Sequence, residues 1–181
     1  MRTIDFETLT TSQRETAAAV LLRALAHVPS AWRDMSEAHN EVATFFSDPE
    51  RLAIAAIEGE RLLGWIGAIR HSAFGWELHP LVVDPSEHGR GCGTLLVRAL
   101  EQKAKAENVC TLWLGTDDDF GGTNLFGENL YPDVLGWLQR LEPRTKHPYT
   151  FYRRLGYSVV GVLPDVDGIG KHDILMAKRI L

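Results

Sequence analysis

The sequence predicts a single mixed α/β domain with a largely antiparallel sheet. Three observations lead there. Two helical patterns fill the first quarter of the chain. A meander of β-rich runs follows from Leu52 to Val83. A glycine-rich turn at 88–93 then joins a strand to a long helix, and further strand patterns reach the C-terminus. At 181 residues, 45 % apolar and 24 % charged, the chain can bury a full core.

The elements are expected in this order. "SQRETAAAVLLRALAHV", 12–28, is helical, with Ser12 and Glu15 spaced as a capping box ahead of an apolar stripe. "PSAWRDMSEAHNEVATFF", 29–46, is a second, shorter helical region ending near Ser47-Asp48-Pro49. "LAIAAIEGERLLGWIGAIR" is a hairpin whose two apolar runs meet at Glu58-Gly59-Glu60. "GWELHPLVV", 75–83, is the next strand. "EHGRGCGTLLVRALEQKAKAEN" is a turn entering a helix, and "VCTLWLGT" is a short buried strand. "PYTFYRRLG" is a short helix ended by Gly156. "YSVVGVL" and "DILMAKRIL" are the last strands. The stretch from Asp117 to Lys146 is irregular, with one helical pattern inside it, "NLYPDVLGWLQRLE". A structureless loop of that length is commonly functional. Neither an internal repeat nor a linker is visible.

Composition narrows the function. The net charge of −5, from 24 acids against 19 Lys and Arg, argues against a nucleic-acid binder, which needs a basic face. It suits a cationic small substrate. No apolar run approaches the roughly 20 residues of a membrane span. "MRTIDFETLT" is polar and acidic where a secretory signal carries an apolar core. Cys92 and Cys110 make no disulfide framework. A soluble, reduced, cytoplasmic protein is expected. The histidines at 71, 79, 88, 147 and 172 match no metal-ligand spacing, and Asp165-Val166-Asp167-Gly168 is too short for a calcium loop. No metal is expected.

Two stretches carry chemistry. In "GWELHPLVV", Glu77 and His79 are two apart on a strand, so their side chains share a face, with Trp76 and Leu78 on the other. A solvated polar face would explain them equally well. Pro80 has no N–H and is tolerated only where a ladder is already interrupted. The second stretch is "HGRGCG". Glycines let backbone approach a ligand closely, and the following helix N-terminus offers unpaired N–H groups. Arg90 adds positive charge. This makes an anion site suited to a pyrophosphate. A Walker loop would need a lysine that is missing here, and a dinucleotide fingerprint would need glycine at the position of Thr94.

"VVDPSEHGRGCGTLLVRALEQKA" resembles the acetyl-CoA motif of the GNAT N-acetyltransferases, Gln/Arg-x-x-Gly-x-Gly/Ala. Gly91 and Gly93 match, and His88 stands where Gln or Arg is usual. "GWELHPLVV", "LGTDD", "HPYTFYRRLGYSVVGVLP" and "DILMAK" together resemble one subgroup, the aminoglycoside 6'-N-acetyltransferases of bacterial drug resistance, from about Pro49 onward. The resemblance implies a GNAT fold, its sheet splayed at the strand that holds the coenzyme. It implies acetyl-CoA bound along Leu81, Val82 and Val83 and by the turn residues His88, Gly89, Arg90, Gly91, Cys92, Gly93 and Thr94. The N–H of Leu81 would face the thioester carbonyl and stabilise the developing oxyanion. The resemblance also implies a homodimer.

Acetyl transfer to an amine needs the ammonium deprotonated, the carbonyl oxygen stabilised and the departing thiolate protonated or tolerated. Glu77 is the preferred base, directly or through water, or else it holds the ammonium by charge. His79 would position the substrate or a water. Tyr152, in "FYRRLGY", resembles the family tyrosine near the coenzyme sulfur; a core aromatic is the plainer reading. Asp117 and Asp118, with Asp119 beside them, form either a solvated turn or a carboxylate cluster for a polycation. Asp173 is a further candidate for that surface, and Trp32 for a wall against a sugar ring. Two other functions stay open: a GNAT acting on a polyamine or a protein lysine, and an acyl-CoA-binding regulator without turnover.

Overall fold

The computed structural model describes residues 1–28 and 31–181. The chain packs as two compact units. One covers Met1–His27, Ala31–Leu112 and Ile180–Leu181; the other covers Trp113–Arg179 with Val28.

The first unit opens on β1 (Arg2–Asp5), a strand too short to announce itself by pattern. α1 (Thr11–Leu25) follows. Its capping box is Thr10 with Gln13, where the sequence pointed to Ser12 with Glu15. The Thr10 Oγ1 accepts from the Gln13 N–H at 3.3 Å, and Gln13 Oε1 accepts from the Thr10 N–H at 3.0 Å. Both spacings satisfy the motif. Leu9, 3 % exposed, pins the chain just before Thr10 and so starts the helix two residues earlier. Glu15 instead meets His39 of α2 (Met35–Ser47) at 2.7 Å. α2 begins where Asp34 accepts from the Glu37 N–H, later than the pattern suggested; Pro29 and Ser30 of that expected helix lie outside the described residues.

β2 (Arg51–Glu58) and β3 (Arg61–Arg70) form the expected hairpin, turning at Gly59 with φ +62°. β4 (Gly75–Val83) follows, then α3 (Cys92–Ala106). β1 to β4 lie side by side in chain order, every neighbouring pair antiparallel. α1 and α2 close one face over a core of Phe6, Leu21, Phe45, Trp65 and Val82. Trp65 is fully buried and donates its indole N–H to the Ala17 carbonyl at 3.1 Å. Each such large apolar side chain contributes on the order of 1.5–3 kcal/mol by leaving water.

The second unit contains most of β5 (Thr111–Asp117), with α4 (Val134–Gln139), α5 (Pro148–Arg154), β6 (Ser158–Leu163) and β7 (Asp173–Arg179). Its strands run in the order β5-β7-β6, with β6 and β7 antiparallel. The class is therefore mixed α/β with a mostly antiparallel sheet, as the sequence predicts. The irregular stretch after Asp117 is held by polar staples. Buried His172 accepts from the Asp165 N–H at Nδ1 and so donates from Nε2 to the Leu125 carbonyl at 3.1 Å. His147 accepts from the Tyr149 N–H and donates to the Asp117 carbonyl at 3.2 Å. Burial pushes the His147 pKa down, keeping it in the neutral form this pattern needs. α4 lies inside the segment where the helical pattern placed it, capped by Asp133.

Candidate active site

β4 carries a register break. Ile66 of β3 faces Leu81, but Ala68 faces Leu78, so β4 spends an extra residue at His79-Pro80. This bulge changes which face each residue occupies. Glu77 faces Ile69 and Val82 faces Trp65 across the ladder. Ile69 and Trp65 are four apart and share a face, so Glu77 and Val82 do too, although they are five apart. Without the bulge they would point opposite ways. Glu77 and His79 therefore look toward the side closed by α1 and α2, while Trp76 and Leu78 are buried on the other. Gly67 sits beneath the bulge. A Cβ there would lie 2.3 Å from the His79 carbonyl and 2.6 Å from the Phe45 ring, so only glycine allows both.

His79 has two close neighbours on this face. Its ring lies 5.8 Å from that of Trp32, centroid to centroid. Its Nε2 is 3.9 Å from Glu41 Oε1, and Glu41 in turn accepts from Arg51 at 2.8 Å. Burial lowers the His79 pKa, and the charges of Glu41 and Glu77 offset only part of that. His79 is thus a neutral imidazole near neutral pH. Glu77 is half-buried and meets His71 Nε2 at 2.7 Å. Sequence reasoning missed Glu41 and His71 as members of this group. Glu41 sits among ordinary surface charges on a helix, and His71 lies in a hairpin connection, so neither carries a pattern of its own.

The turn before α3 is shaped for an anion. Gly89 and Gly91 have φ of +79° and +84°, and a Cβ on either would meet nothing within 4 Å. The first intrahelical bond of α3 runs from the Leu95 N–H to the Gly91 carbonyl. The N–H groups of Cys92, Gly93 and Thr94 therefore have no carbonyl one turn back. The charge expected from Arg90 is directed elsewhere. Its guanidinium binds Glu87 and lies 3.2 Å from Glu58, so the backbone supplies the positive end. His88 is turned to the Val83 carbonyl at 3.1 Å, tying the turn to the end of β4. Cys92 is buried and its pKa is pushed up to about 11, chiefly by burial, leaving an unreactive thiol.

In the second unit, Asp117 and Asp173 stand at neighbouring strand ends. Gly115 makes room: a Cβ there would fall 2.3 Å from the Asp173 carboxylate. The Asp117 pKa is pushed up to about 7, first by burial and then by the charges of Asp173 and Asp167. Asp118 has a different task. It is fully buried, and its carboxylate accepts from the N–H of Gly122 at 2.6 Å, the N–H of Thr123 at 2.9 Å and the Thr123 hydroxyl at 2.6 Å. It holds the loop from within. Tyr152 is buried against Phe151 and Tyr157, and burial drives its phenol pKa well above the usual range. Among the described residues, no group of three or more His, Cys, Asp or Glu side chains is arranged to hold a metal ion.

The bulged strand, the glycine turn and the helix N-terminus it opens follow one another in the order of the GNAT acetyl-CoA motif. The chain belongs to that family: the acetyltransferase (GNAT) family model matches residues 19–128. Among solved structures it is similar to an aminoglycoside 6'-N-acetyltransferase complexed with coenzyme A, at 37 % identity and a TM-score of 0.90. It is similar also to the aminoglycoside 6'-N-acetyltransferase from Enterococcus faecium, at 36 % identity and 0.88, and to aminoglycoside 6'-acetyltransferase type Ii, at 33 % and 0.75. Each likeness covers 100 % of this chain and 98 % of the other. No curated protein matches the chain in a sequence comparison.

Proposed function

We propose that the chain is an acetyl-CoA-dependent aminoglycoside 6'-N-acetyltransferase, its 181 residues acting as one catalytic domain. The observation that carries this is end-to-end likeness to three enzymes of that activity at 33–37 % identity. Bound acetyl-CoA supplies the activated acetyl group. The backbone around Gly89 and Gly91 and the first N–H groups of α3 fit its pyrophosphate, since open space lies where side chains would otherwise stand. Leu81, Val82 and Val83 are assigned to its pantetheine arm, and the Leu81 N–H to the developing oxyanion. Glu77 takes the proton from the substrate ammonium, which frees the nitrogen lone pair for attack. Neutral His79, set between Trp32 and Glu41, orients the amine or a water. Tyr152 keeps its proton through neutral pH, the state required of a donor to a departing thiolate. Asp117 and Asp173 attract the remaining ammonium groups. The enzyme is taken to be cytoplasmic and homodimeric, the latter to be read by light scattering of the purified chain.

Thiol release from acetyl-CoA, followed with kanamycin, spermidine and a lysine peptide, tests the reading. Turnover on kanamycin with the acetyl group at the 6'-amine is the expected result. Turnover on the polyamine or peptide alone would replace it with another polycation-modifying GNAT, and tight coenzyme binding without turnover would replace it with a regulator.

Asp117 makes stability depend on pH in an unusual direction. Its folded pKa of about 7 lies above the ordinary carboxylate value. Between the two, the folded state holds a proton that the unfolded chain has lost. Stability therefore declines as pH rises toward 7, and the deficit is complete above it. Asp117→Asn removes the effect. Melting curves from pH 5 to 8 should show the variant gaining on the wild type as pH rises.

A further inference from the structure

Glu77 has a partner that no motif announced. His71 lies just beyond the end of β3, in the connection to β4. That connection is tied down. The Ser72 N–H donates to the Gly75 carbonyl at 3.3 Å, and the Ser72 Oγ accepts from the N–H groups of Phe74 and Gly75 at 3.2 and 3.0 Å. The strands it joins hold Ile69 opposite Glu77 and Arg70 opposite Trp76. The turn thus delivers the imidazole onto the Glu77 carboxylate, with Nε2 to Oε2 at 2.7 Å, the length of a charge-assisted hydrogen bond. The pair is graded in exposure. The Glu77 side chain is 22 % exposed and that of His71 is 49 %, so the carboxylate faces inward and its partner faces water.

The surrounding charges give this contact its meaning. His79 shares the face of Glu77, Glu41 from α2 stands beside His79, and Arg51 from β2 is bound to Glu41. A carboxylate that must accept a proton is poorly served by a permanent guanidinium partner, which holds the proton off. An imidazole N–H aims the carboxylate without a fixed charge.

We propose that His71 is a positioning residue for Glu77 that fixes the carboxylate toward the amine; this rests on the functional reading above. Glu77 takes one proton from the ammonium, becoming a neutral carboxyl while the amine gains its lone pair. The proton leaves afterwards to solvent. His71 keeps the same oxygen in place throughout.

The test uses His71→Ala, His71→Gln and each of these combined with Glu77→Gln. Rates are measured against pH on whichever of kanamycin, spermidine and the lysine peptide the wild type turns over. Circular dichroism and coenzyme affinity check folding. His71→Ala should lower kcat about ten- to a hundredfold, the range of a misaimed catalytic group, with KM nearly unchanged. His71→Gln, which retains a donor, should recover much of the rate. In the Glu77→Gln background neither change should cost more. A wild-type rate and profile in His71→Ala would overturn the proposal, as would a full additional loss in the Glu77→Gln background. An unfolded His71→Ala leaves the decision to His71→Gln, where a kcat as low as that of Glu77→Gln, or an equal loss in the Glu77→Gln background, would overturn it. Wild-type turnover on kanamycin decides the functional reading separately, and absence of turnover on every amine would remove both.

Discussion

Glu77→Gln is expected to lower kcat for acetylation by about two orders of magnitude, the lower end for loss of a positioned general base. Glutamine keeps the size of the side chain and its contact with His71, so loss of packing does not explain the effect. It removes the one carboxylate of β4 on the face closed by α1 and α2. His79 does not replace it. Burial depresses the imidazole pKa, and a weaker base withdraws a proton from an ammonium less readily. The residual rate comes from the fraction of substrate already neutral. That fraction grows with pH, so the deficit should be largest in acid and should shrink as pH rises. Steady-state rates across pH check this, and a uniform deficit at every pH would indicate that Glu77 holds the amine by charge alone.

Asp118→Ala is expected to destabilise the second unit by about 3–5 kcal/mol, because it leaves three donors without an acceptor inside the protein. Two are the backbone N–H groups of Gly122 and Thr123 and the third is the Thr123 hydroxyl. Thr123 is fully buried, so water does not readily take over. Asp118→Asn should cost less, since one oxygen still accepts while the new amide group faces donors. Thermal melts of both variants give the order, and hydrogen exchange at Gly122 and Thr123 locates the damage. Equal stability of Asp118→Ala and wild type would mean that the loop is held by His147 and His172 instead.

Most of the candidate site's first unit was legible because it is local. The glycines of 89–93 lie in one turn, and the alternation of Trp76, Glu77, Leu78 and His79 is a period of two that any strand obeys. Pro80 marked the interruption. What could not be read was its consequence, that a bulge returns Val82 to the face of Glu77 and demands glycine at 67 on the next strand. The acidic run shows the same division. "LGTDD" signalled carboxylates but not their assignment, with Asp117 in a shared cluster and Asp118 spent on its own loop. Arg90 was legible as a charge, but its two carboxylate partners come from 87 and 58.

By itself the sequence determined the mixed α/β class, the hairpin, the glycine turn into α3 and the shared face of Glu77 and His79, because each follows from backbone periods and turn chemistry within a few residues. The tertiary structure alone decided which polar groups are neutral, which are consumed in holding the fold and which partner stands beside Glu77. Those outcomes depend on burial and on charges brought together across tens of residues, and neither is encoded in the spacing along the chain.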